Sequence, residues 1–142
     1  MSVNYNSAAK TGRLQVSQAL INSLTLAAAT GAAANGTLFI GTSSFVATSG
    51  ITGSTTGVLA AIPLPNAGVT VSGNVLTLIA SAQSATAGAT GTAAVAVIAN
   101  NAGTAVVTGL TVGTSGSDIN LNSVAISSGQ TVTVNSATIT HP

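Results

Sequence analysis

The sequence has no cysteine, no tryptophan and no glutamate, and its aromatic residues are Tyr5, Phe39 and Phe45. Charged residues make up 2% of the 142 residues, against about a quarter in an average protein. The missing thiols exclude a disulfide framework and a cysteine-based zinc site. One carboxyl side chain, Asp118, excludes a paired-carboxylate mechanism. We therefore predict a protein that is not an enzyme and has no cofactor.

Two basic residues are too few for a nucleic-acid-binding surface, and no apolar run reaches the roughly 18 residues of a membrane span. Residues with small side chains are abundant: alanine, glycine, serine and threonine supply 81 of the 142 residues. A net charge of +1 gives little repulsion between copies, which favours a component of an assembly. A monomer kept soluble by its serine, threonine and asparagine surface is the alternative.

A helical pattern covers residues 6–26, with Asn6 or Ser7 in position to cap its first turn. Apolar residues recur there at helical spacing and predict one broad apolar face. These residues are Leu14, Val16, Leu20, Ile21 and Leu24. Lys10 and Arg13 oppose the helix dipole near the N-terminus, so either a carboxylate of another chain pairs with them or they point into water.

Beyond a small-residue linker at 27–36, the apolar pattern changes to about eight short strands. We predict loops at 43–57, exposed to solvent, and at 81–91. The features expected along the strands are a sheet edge or strand end at Pro63 and Pro65, a turn at 72–74, a hairpin around 100–103, a bulge or bend at 122–123, and a bulge near 135–136.

These elements predict two parts: residues 1–36, the N-terminal helix and its linker, and residues 37–142, a β-domain. The fold class is mainly β, an N-terminal amphipathic helix followed by an antiparallel, jelly-roll-like β-sandwich. The helix either packs on the outside of the sheet or extends as an arm to a neighbouring molecule.

A serine–histidine–aspartate triad can be assembled from the composition, but its histidine would be His141, one residue from the end of the sequence. No G-x-S-x-G motif is present. Asp118 follows the turn-forming segment 113–117, where an aspartate usually bonds nearby backbone N–H groups. We predict a structural role for Asp118 and no catalytic or metal site.

The segment GLTVGTSGSDINLNS at 109–123, followed by VAISSGQTVTV at 124–134, resembles a family of small structural proteins of tailed bacteriophages. The segment AAKTGRLQ at 8–15 is similar to the helical start of that family, and ATITH at 137–141 is similar to its last strand. The middle of the chain is similar to that family mainly in its amino-acid composition. The chain departs from the family in its scarcity of charge.

The resemblance implies a virion protein, assembled in the host cytoplasm and located on the capsid surface. The expected function is capsid decoration, or cement: binding the major capsid protein as a homo-oligomer, a dimer or trimer, without contacting nucleic acid or membrane. Its candidate partner-binding residues lie on the helix: Lys10, Arg13, Leu14, Val16, Leu20 and Leu24. A tail or fibre component is the alternative, followed by a secreted adhesin or surface-layer module.

Overall fold

The computed structural model describes residues 6–21, 36–47, 49–64, 70–79, 82–100 and 102–140. Within these ranges there is one helix, α1 (Ser7–Ile21), and eleven strands. The strands are β1 (Thr37–Gly41), β2 (Val58–Pro63), β3 (Thr70–Ser72), β4 (Val75–Ile79), β5 (Gln83–Thr86), β6 (Gly91–Thr92), β7 (Val95–Ala99), β8 (Ala105–Gly113), β9 (Ile119–Leu121), β10 (Ala125–Ile126) and β11 (Thr131–Thr140).

Helix α1 begins at the cap that the sequence predicts. The Asn6 side chain accepts a hydrogen bond from the Ala9 backbone N–H at 2.8 Å. The Asn6 carbonyl accepts the first helical bond from the Lys10 N–H at 3.1 Å. Asn6 therefore accepts hydrogen bonds from two backbone N–H groups of the first turn. The rest of the predicted helix, residues 22–26, and the linker up to residue 35 lie outside the described residues.

Most strands belong to one curled, mixed sheet, in the order β2-β1-β7-β8-β9-β11-β4-β3, with β5 also paired to β11. Strands β6 and β10 form a separate pair. Of the described pairings, β8–β9 alone is parallel, and the others are antiparallel. The mainly β fold with an N-terminal helix is thus confirmed, and the curled sheet is compatible with a jelly-roll-like sandwich.

Three strands of the first half of the sheet, β2, β1 and β7, bury residues on both faces, whereas most of β8 is half-buried or exposed. In β1 and β7, even-numbered residues such as Ile40 and Ile98 enter the main core, whereas Phe39 and Val97 enter a second cluster on the opposite face. Burial on both faces explains why TLFIG, at 37–41, reads as an almost continuous apolar run.

The second half, β9-β11-β4-β3 with β5, buries one face against the same main core. Leu76, Leu78, Ile119 and Val134 are each at most 1% exposed there. The exposed residues of β11 are threonine, asparagine and serine: Thr131, Asn135, Ser136, Thr138 and Thr140. The two halves therefore share one apolar interior, and the second half presents a neutral, polar outer face.

Helix α1 and strand β5 lie at two places where the halves of the sheet meet. The helix contacts β3, β4 and β8, and its Thr11 hydroxyl donates a hydrogen bond to the Gly73 carbonyl. Strand β5 contacts β2. The helix therefore packs onto the β-body, as the first of the two sequence-based alternatives proposed.

Two loop predictions are wrong in part. Residues 83–86, predicted as loop, form β5. Their backbone pairs with β11, whereas their side chains include no large apolar residue that would predict a strand. The loop at 43–57 is exposed over much of its length, but Phe45 and Ile51 are buried at 6% and 3% exposure. These two side chains cover the outer face of the first half-sheet, a contact that local composition does not reveal.

The predicted turns and bulges are confirmed where the structure describes them. Strands β3 and β4 form a tight hairpin, with Ser72 paired to Val75. In the β7–β8 hairpin, the Asn100 side chain accepts bonds from the N–H groups of Ala102 and Thr104. The register of β11 shifts between Val134 and Ser136, the chain bends at 122–123, and β2, with its exposed Pro63, lies at an edge of the sheet.

Candidate partner-binding surfaces

Some of the predicted apolar residues of helix α1 are buried, and others are exposed. Leu14 and Ile21 are buried in the main core, at 5% and 0% exposure. Val16 and Leu20 are exposed by 47% and 52%. At 3.6 residues per turn, Val16 and Leu20 project roughly 120° or more away from Leu14. The broad apolar face that the sequence predicts is therefore divided, because one edge of it anchors the helix and the other edge faces outward.

The outward side forms a stripe that we call the helix stripe: Arg13, Val16 and Leu20. These residues are three and four positions apart, so they follow one another along the same side of the helix. Arg13 is exposed and Lys10 is partly buried. The structure thus brings Arg13, Val16 and Leu20 together and assigns Leu14 to the core. Leu24 lies outside the described residues.

Asp118 bonds a backbone N–H group, as the sequence predicts, but that group belongs to Thr111, seven residues earlier in the chain. Its carboxylate accepts hydrogen bonds from the Thr111 backbone N–H at 2.9 Å and from the Thr111 hydroxyl at 2.8 Å. The Thr111 hydroxyl oxygen in turn accepts the Asp118 N–H at 3.1 Å. This reciprocal arrangement, the Thr111–Asp118 lock, closes the loop between β8 and β9.

No family model, curated protein sequence or solved structure matches this chain. Its candidate function is therefore inferred from the chemistry of the described surfaces. Within the described ranges, no three histidine, cysteine, aspartate or glutamate side chains form a group that could hold a metal ion. The described part of the chain also has no helix that is long and apolar enough to cross a membrane. His141 lies outside the described residues.

A surface groove of about 360 Å³ lies beside the second cluster, where β7 pairs with β8. We call it the bulge groove, and its lining residues are Phe45, Val46, Ala47, Val95, Val97, Thr108 and Gly109. Ala96 pairs with Leu110 and Ile98 pairs with Val107, so β8 has two residues opposite Val97. Those two residues are Thr108 and Gly109, which form a β-bulge.

The backbone of Gly109 makes this bulge possible. Its φ angle of +75° lies in the left-handed region, which glycine adopts without the steric cost that a side chain adds. A Cβ atom at this position would have no neighbour within 4 Å, so the space above the bulge is open. The groove is consequently open where the backbone of β8 turns away from regular pairing.

Sequence analysis did not identify the bulge groove. The available signal was the apolar triplet Phe45-Val46-Ala47 inside a serine-, threonine- and glycine-rich loop. Phe45 is buried, whereas Val46 is 68% exposed, so neighbouring residues of the triplet have opposite environments. The other wall of the groove comes from residues more than forty positions later in the sequence, which only the strand pairing brings near.

Both surfaces combine exposed aliphatic side chains with little or no charge. The helix stripe joins two exposed aliphatic side chains to a cation, and the bulge groove is lined by uncharged residues. Exposed large apolar residues that lie close together are typical of interaction sites. Neither surface contains a nucleophile–base pair or a set of metal ligands among its residues.

Proposed function

We propose that this chain is a non-enzymatic structural protein of a virion, a decoration or cement protein that binds the major capsid protein and stabilises the head. The helix stripe carries the proposal. Val16 and Leu20 stay half-exposed on a helix whose other side is anchored by Leu14 and Ile21. A helix held in this way presents its outward side chains in a fixed arrangement, which lowers the entropic cost of docking.

The distribution of charge supports the same function. Between residues 36 and 140, Asp118 is the one charged side chain, and it belongs to the Thr111–Asp118 lock. A body with so little charge can approach a large protein surface with almost no electrostatic repulsion. Neutral contact surfaces of this kind suit a component that is packed into a particle.

Lys10 and Arg13 indicate the chemistry of the capsid surface. Both cations belong to the same helix as Val16 and Leu20. A complementary site would place carboxylates beside an apolar patch, so that opposite charges orient the encounter while the aliphatic side chains supply affinity. Assembly of the chain as a homo-oligomer would repeat this contact on neighbouring capsid subunits and increase the overall binding strength.

Capsid binding tests the proposal directly. Purified chain is mixed with capsids of the encoding virus that lack it, and bound chain is measured by co-sedimentation. We expect saturable binding and a higher temperature of capsid disruption. The double variant V16S/L20S should bind roughly tenfold or more weakly, since it removes apolar area from the contact.

The matched control is Pro63→Ser, which removes an exposed apolar side chain from β2 and belongs to neither the helix stripe nor the bulge groove. Each variant is compared with the wild-type chain at equal chain concentration. Equal weakening by Pro63→Ser and V16S/L20S would contradict the role of the helix stripe. A wild-type chain that does not bind these capsids refutes the cement function, and a chain that remains with isolated tails is instead a tail or fibre component.

A further inference from the structure

We propose that the bulge groove is the contact between two copies of this chain, in which Val46 of each copy enters the groove of the other across a two-fold axis. The inference rests on the proposed function in one respect: it supplies the homo-oligomer contact that a decoration protein of this kind would use. Its evidence comes from residues outside the helix stripe.

The groove and its protruding side chain lie on the same patch. Val46 is 68% exposed, the most exposed large hydrophobic residue among those that the structure describes. Beside it, Phe45 and Val97 are 6% and 3% exposed and line the same recess. A two-fold contact uses the same patch on both partners, so it requires a protrusion and a recess together. The bulge groove has both.

Electrostatics favours a second copy as the occupant. Identical surfaces carry identical charges, so a charged patch repels its own copy, whereas a neutral patch does not. All the residues that line the groove are uncharged, and the polar side chain among them is the Thr108 hydroxyl. An acidic or basic partner could form no ion pair with the residues that line the groove.

The open space above the bulge completes the geometry. Nothing lies within 4 Å of the position that a Cβ of Gly109 would occupy. Thr108 and Gly109 are both exposed, so an entering aliphatic side chain meets accessible backbone as well as the apolar groove. A volume of about 360 Å³ is large enough to receive more than a single methyl group.

Sedimentation velocity over a range of chain concentrations tests the contact. We expect the wild-type chain to self-associate reversibly, and Val46→Asp to raise its dissociation constant by roughly tenfold or more, because the contact would then bury an unpaired carboxylate. The matched control is Val16→Asp on the helix stripe, which should self-associate like the wild type. Circular dichroism spectra and melting temperatures establish that both variants are folded.

Cysteine cross-linking locates the contact, because the chain has no cysteine of its own. A chain carrying Val46→Cys is mixed with a chain carrying Thr108→Cys and oxidised. We expect a disulfide-linked heterodimer, which should not form when Val16→Cys replaces Val46→Cys. A monomeric wild-type chain, equal association of Val46→Asp and wild type, or absence of the cross-link would overturn the proposal.

Capsid binding, measured on the same proteins, separates this inference from the proposed function. A wild-type chain that is monomeric but binds capsids refutes the two-fold contact alone. A chain that self-associates through Val46 but binds no capsid supports the contact and refutes the cement function. If a small apolar molecule such as benzene occupies the groove while Val46→Asp leaves self-association unchanged, the groove is a ligand site and the two-fold contact is wrong.

Discussion

The Thr111–Asp118 lock shows how one charged side chain is used in a chain that has almost none. The carboxylate accepts two hydrogen bonds from Thr111, and the same threonine hydroxyl accepts one from the Asp118 backbone. Within the loop, the Asn120 side chain accepts a bond from the Ser117 N–H and donates one to the Ser117 carbonyl. Side-chain hydrogen bonds thus order the connection that leads into the parallel β8–β9 pair.

Replacing Asp118 by alanine should lower the free energy of unfolding by about 1 kcal/mol, because an exposed charge-assisted pair of hydrogen bonds is lost. Urea denaturation followed by circular dichroism measures the change. Thr111→Val should cost a similar amount, and the double variant T111V/D118A should cost less than the sum of the two, since both changes remove the same hydroxyl–carboxylate bond. Additive effects would show that the hydroxyl–carboxylate bond contributes nothing to stability.

Gly103 and Gly109 form a matched pair for a second prediction at this scale. Both have positive φ angles, +77° and +75°. A Cβ at Gly103 would lie 2.6 Å from the Ile51 carbonyl oxygen, whereas one at Gly109 meets no atom within 4 Å. Gly109→Ala should therefore cost about 1–2 kcal/mol for the left-handed backbone alone. Gly103→Ala should cost clearly more in the same denaturation assay, and equal costs would contradict the clash.

Secondary-structure elements follow the sequence closely where burial of one face leaves an alternating apolar pattern or burial of both faces leaves a continuous one. The strand at 37–41 and the β7–β8 hairpin lie where apolar runs and turn residues predict them. Strand β5 has no such signal, and its pairing with β11 determines its conformation. Helix α1 has the correct start at Asn6, but periodicity alone does not show which of its apolar residues face the core.

Alanine variants of Leu14 and Leu20 test whether one side of α1 is buried while the other faces solvent. Leu14→Ala should destabilise the protein by about 2–5 kcal/mol, because it leaves a cavity in the main core. Leu20→Ala should change stability by no more than about 0.5 kcal/mol, since Leu20 is 52% exposed. Thermal and urea unfolding of the two variants compares the same substitution on the same helix. Similar losses would mean that Leu20 is also buried in solution.

At the scale of the whole molecule, the scarcity of charge determines how the protein responds to its solution. The formal net charge of +1 arises from two cations and one carboxylate, and the cations lie on the helix. The interior joins both halves of the sheet and the buried side of α1 in one apolar cluster. Stability therefore comes from apolar packing and backbone pairing, and interactions between charges contribute little.

Changes in sodium chloride between low and physiological concentration should leave two properties almost unchanged: the midpoint of urea unfolding and the dissociation constant for self-association. Salt screens interactions between charges, and the lining of the bulge groove has none. Capsid binding should weaken with salt if Lys10 and Arg13 contact carboxylates. A self-association constant that rises or falls steeply with salt would contradict a neutral contact.

The amino-acid sequence by itself determined the mainly β class, the capped N-terminal helix, most of the strands and turns, and the chemistry that the chain lacks. These properties depend on local residue patterns and on which atoms are present. Tertiary structure alone decided that Leu14 is buried while Val16 and Leu20 face outward, and that Phe45 covers a sheet. It also decided that Val46 lies beside a bulge at Gly109, since strand pairing joins residues that are far apart in the chain.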